Sequence, residues 1–78
     1  MLTFMRITPV FPEQKLWGAT LSGRWSFCIV HQPKIGYTAT WKDQNRSEAH
    51  QANLIGGDYA TLGQAKRACD ARARQLLS

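Results

Sequence analysis

Residues 16–42 read LWGATLSGRWSFCIVHQPKIGYTATWK, and the punctuation of this stretch decides the fold. Two runs rich in β-branched and aromatic residues, 16–21 and 24–31, are separated by Ser22-Gly23. A short loop containing Gly between two such runs is a hairpin signal. Gln32-Pro33-Lys34 then turns the chain into a third run, 35–42. Pairing Leu21 with Arg24 across the first turn, and His31 with Ile35 across the second, sorts the side chains onto two faces. One face collects Leu16, Trp25, Phe27, Ile29, Tyr37, Ala39 and Trp41, and is predicted to be the core. This register sets Gly18 opposite Phe27, where the missing side chain leaves room for the ring. The other face would hold Trp17, Ala19, Arg24, Ser26, Cys28, Thr38, Thr40 and Lys42, a set polar enough for water.

Upstream, residues 2–10 mix β-branched and aromatic side chains and run into Pro9 and Pro12. Proline donates nothing to a sheet ladder, so a short edge strand is expected there. Downstream, Thr61 to Gln64 has the spacing of a capping box, with the hydroxyl accepting from the N3 amide and the Gln reaching back to the N-cap amide. Leu62, Ala65, Cys69, Ala73 and Leu76 then recur at steps of three and four, which predicts a helix lying on the sheet through that stripe. The intervening stretch, 43–58, is poor in large apolar groups and long for a compact domain. Two readings fit it: a short helix over 47–54 capped by Ser47 and ended by Gly56 or Gly57, or a last strand over 53–55. The prediction is an α+β fold, an antiparallel β-sheet of three to four strands packed against one C-terminal helix. Residues 1–78 would form a single β-β-β-α domain.

A chain of 78 residues supports one core. Its ten Lys and Arg against five Asp and Glu give a formal charge of +5, which favours an anionic partner, although the basic residues are spread along the chain. No secretory pattern opens the sequence, so Cys28 and Cys69 are expected to be reduced thiols in a cytoplasmic protein. No apolar run reaches the length needed to span a bilayer, and no membrane partner is expected.

Catalytic chemistry is not legible. Gly56-Gly57 lacks the flanking glycines and the Lys of a phosphate cradle, and reads as a turn. Cys28, His31, His50 and Cys69 suit zinc by residue type, yet Cys28 and His31 stand three apart on a strand and point to opposite faces. The same opposition separates a Cys28 nucleophile from a His31 base. Glu13, Asp43, Glu48, Asp58 and Asp70 form no pair spaced for acid and base roles. The expectation is a protein that binds and does not catalyse, without metal or cofactor.

The candidate binding residues are therefore on the surface: Lys15, Trp17, Arg24, Lys42, Arg46, Arg67 and Arg74. Arg67 and Arg74, seven apart, share the helix face away from the core, while Lys66 and Arg72 flank the apolar stripe. Arg24 and Lys42 are expected together at one end of the outer sheet face, with Lys15 nearby and Trp17 on the same side. Such a face can contact phosphates and stack on bases, or anchor a protein partner.

The run Gly57-Asp58-Tyr59-Ala60-Thr61-Leu62-Gly63-Gln64-Ala65-Lys66 resembles the Gly-x-aromatic-x-Thr-x-x-x-Ala-Lys junction of many short phage and prophage proteins, which joins a small sheet to a C-terminal helix. In size and layout the chain is similar to the small anti-CRISPR proteins among them. That resemblance implies binding to a host CRISPR effector complex and blocking of its function. The β-β-β-α order also resembles the arm-type DNA-binding domains of phage integrases, which implies DNA or RNA as partner through Arg24, Ser26, Thr38, Thr40 and Lys42. The long stretch 43–58 departs from the tight layout of those domains.

Overall fold

Alternation of large apolar with small or polar residues over the quoted stretch makes extended chain that can bury one side. The computed structural model, which describes residues 2–8, 14–45 and 52–78, places three long strands there. They are β2 (Lys15–Leu21), β3 (Trp25–Gln32) and β4 (Gly36–Asp43), flanked by β1 (Met5–Ile7) and β5 (Asn53–Leu54). The five strands form one antiparallel sheet in the order β1-β2-β3-β4-β5, and a helix, α1 (Leu62–Leu77), closes the chain. The α+β class and the C-terminal helix are as the sequence predicts. The sheet is wider than three to four strands because both short edge segments pair. Asn53–Leu54 is extended, so the strand alternative for that stretch is the one adopted, while positions 47–51 of the helical alternative lie outside the described residues.

The helix begins where its cap allows. Thr61 Oγ1 accepts from the Gln64 amide at 3.2 Å, satisfying one of the first-turn donors that have no partner within the helix. The Gln64 side chain accepts from Ala60 N–H at 3.1 Å, one residue before the N-cap amide the spacing predicts. Ala65, Cys69 and Ala73 are buried, and the helix lies over β4 and β3. Their small side chains bring it close to Phe27, Ile29 and Ala39, which with Trp25 and Ile55 complete the buried cluster. Leu2 and Phe4 pack on this cluster from the β1 side, and the Leu2 amide donates to Asp70 Oδ1 at 2.8 Å.

Both hairpin registers differ from the predicted ones, with unequal consequences. Leu21 pairs with Trp25, so the first loop is Ser22-Gly23-Arg24. Ser22 and Gly23 have φ of 55° and 64°, as in a type I′ turn, closed by Arg24 N–H to the Leu21 carbonyl at 3.1 Å; Arg24 is one residue extra. A slip of one residue exchanges the faces of a strand. Ala19 now opposes Phe27, and Trp17 and Ala19 join the core side. Leu16 moves to the outer face, and Gly18 opposes Cys28 instead of Phe27. In the second hairpin Gln32 pairs with Gly36, one residue later in the chain on each strand than the predicted His31–Ile35 pair. The slip there is two residues in sum, so Tyr37, Ala39 and Trp41 keep the core side as predicted. Trp25, Phe27 and Ile29 are buried, whereas Tyr37 and Trp41 are half-buried.

Candidate functional site

Because the helix covers one side of the sheet, the other side has no covering element among the described residues, and its composition follows from the register. Cross-strand pairing lines up Met5, Gly18, Cys28, Thr40 and Leu54 in one row. Ile7, Leu16, Val30 and Thr38 form the next row, and Thr20, Ser26 and Lys42 the row on the other flank. Met5 is 71% exposed, Leu54 66% and Ile7 42%, so these are large apolar groups in water and not core residues. Lys42 is the one charged strand residue on this face among those described.

Gly18 shapes the middle of the surface. The Ile7 side chain lies over it, so close that a Cβ at Gly18 would stand 2.5 Å from Ile7 Cδ1. A depression of about 820 Å³ opens beside it, bordered by Met5, Thr20, Ser26, Cys28, Thr40 and Lys42. Burial pushes the Cys28 thiol pKa up, against a smaller opposing pull from Lys42. Burial, with Asp70 and Cys28 adding to it, pushes the Cys69 thiol up to about 12. Both thiols are therefore held in the protonated, weakly nucleophilic form. Cys28 is on the outer face and His31 on the helix side, as their spacing predicts.

The predicted basic cluster does not assemble on this face. Arg24 belongs to the turn, and its Nε and Nη2 donate to Asp43 Oδ1 and Oδ2 at 3.3 and 3.1 Å, while its guanidinium covers the Trp25 ring at 4.7 Å. Asp43, buried at the end of β4, raises the Arg24 pKa by hydrogen bond and charge. Lys42 lies at the same end of the sheet but points outward from the row of Ser26. Lys15 is at the opposite end, paired across from His31, and Trp17 faces the helix side, so neither is near Lys42. Arg67 and Arg74 are exposed on the far face of the helix, as predicted. Arg46 lies outside the described residues.

No family model, curated protein or solved structure matches the chain. The residues missed from the sequence are Met5, Ile7, Leu16 and Leu54, and the signal for them was the alternation within β1 together with the extra residue in the first turn. Among the described residues no group of three or more His, Cys, Asp or Glu is placed to hold a metal ion, and no helix is long and apolar enough to cross a membrane.

Proposed function

We propose that this is a non-catalytic binding protein of phage type that docks a protein partner through the outer face of its sheet, and that the partner is a host CRISPR effector complex. The single observation that carries the docking is the pair of rows from Met5 to Leu54 and from Ile7 to Thr38, apolar toward β1 and bearing hydroxyls toward β4. Contiguous exposed apolar surface on a small soluble domain marks an interaction site. Apolar anchors surrounded by hydroxyl groups suit a protein surface, because they bury area while the rim satisfies hydrogen bonds. The choice of effector rests on the resemblance of the strand-to-helix junction and layout to small anti-CRISPR proteins. Cys28 and Cys69 are poor nucleophiles, because burial raises both thiol pKa values.

A duplex-reading sheet needs cations beside its hydroxyls, and here Arg24 is engaged by Asp43 while Leu16, Met5 and Ile7 occupy the β1–β2 half. The test is binding of the chain to a purified effector complex and to a short DNA duplex, each across a salt series. Sub-micromolar effector binding that weakens little with salt is expected. Duplex binding that falls by about 0.9 log units per log unit of salt for each phosphate contacted, with no effector binding, would overturn the reading.

A further inference from the structure

The helix lies over β4 and β3, so the Trp17 end of β2 stands at the margin of the helix layer. Trp17, His31 and Tyr37 are half-buried there, each with part of its ring in water. Four side chains are in contact at that corner, and Lys15 borders them. Arg6 and Trp17 are cross-strand partners, with the guanidinium 5.3 Å from the ring centroid. Trp17 and Tyr37 rings stand 5.9 Å apart at 45°, and His31 lies 4.4 Å from Tyr37 at 33°. Lys15 is paired across from His31 and is exposed, as is Arg6.

We infer that this corner, built from Arg6, Lys15, Trp17, His31 and Tyr37, is a binding site for a short single-stranded nucleic acid. Three rings tilted against one another, flanked by two exposed cations, combine the two features such ligands require. Bases stack on aromatic faces whatever their identity, and neighbouring cations hold the phosphates. The strand must be single because a duplex keeps its bases stacked on each other. Among the described residues the recorded ion pair is Arg24 with Asp43, and it involves neither Arg6 nor Lys15. The helix cations Arg67 and Arg74 have no aromatic partner beside them among the recorded ring contacts, and fit general charge attraction only. This site is separate from the outer sheet face and stands whether or not that face docks a protein.

The experiment titrates the chain with octathymidylate and octauridylate at low salt, reading tryptophan quenching and anisotropy of the labelled oligomer. Two double variants carry the same charge change: Arg6→Gln with Lys15→Gln, and Arg67→Gln with Arg74→Gln. Wild type is expected to bind saturably with quenching, and the first variant to lose about tenfold in affinity while the second loses less than about threefold. Equal loss in both variants, or no saturable binding by the wild type, would overturn the site. Preference between the two oligomers reports whether the ligand is DNA-like or RNA-like. Because Arg6 and Lys15 on the sheet and Arg67 and Arg74 on the helix are all exposed, unchanged melting curves separate lost binding from lost folding.

Discussion

Gly36 carries the sharpest steric demand in the sheet. Its φ is +105°, and a Cβ there would stand 2.6 Å from the Tyr59 carbonyl oxygen, which is backbone and cannot step aside. That approach exists because Tyr37 and Tyr59 exchange backbone hydrogen bonds of 2.9 and 2.7 Å, tying the entry of the helix to β4. Gly36→Ala should therefore cost at least about 2 kcal/mol, whereas Gly23→Ala, with φ of +64° and nothing within 4 Å, should cost only about 1 kcal/mol. Urea denaturation of the two variants checks the order, and equal losses would contradict the Tyr59 contact. Cys69 makes a second residue-scale prediction. In the unfolded chain a thiol ionises near pH 8.5, while the folded Cys69 keeps its proton to about 12. Between those values the folded state binds the extra proton, so stability falls as pH rises, by at most about 1.4 kcal/mol per pH unit. Melting temperatures at pH 7 and pH 10 should converge between wild type and Cys69→Ala, and parallel curves would contradict this.

At the scale of elements, β3 is the centre of the core. Phe27 is 2% exposed beneath α1, and Phe27→Ala should cost roughly 3–5 kcal/mol in a thermal melt, a large share of the stability of so small a domain. Thr61→Ala should cost about 1 kcal/mol through the lost cap, with helical signal falling in proportion. Both elements were legible because their signals are local and repeated: the stripe from Leu62 to Leu76 fixes the buried face of α1 at five positions. The facing of β2 was not legible for an equally local reason. Ser22-Gly23 is compatible with a loop of two or three residues, and that single-residue ambiguity decides whether Leu16 or Trp17 faces the helix. β4 escaped the same fate because its register slipped by two and left every facing intact. The candidate site inherited the error, since moving Trp17 inward dismantled the predicted basic and aromatic outer face. Met5, Ile7 and Leu16 took its place.

For the molecule as a whole, the C-terminal helix and the five-stranded sheet present two unlike surfaces among the described residues. One is the outer sheet face with its apolar rows, the other the helix side with Arg67 and Arg74 on the helix and Arg6 and Lys15 beyond it. Among the described residues, Arg6, Lys15, Arg67 and Arg74 all lie on the side away from the proposed docking face. The decisive measurement is the affinity of Met5→Gln with Leu54→Gln for the purified effector complex, compared with wild type. Both side chains are exposed, so folding should be unchanged to within about 0.5 kcal/mol, and net charge is unaltered. The account predicts a loss of about tenfold or more in affinity, the scale expected when two anchors of an interface are removed. An unchanged affinity in this variant, with the wild type binding tightly, would contradict the outer sheet face as the docking surface.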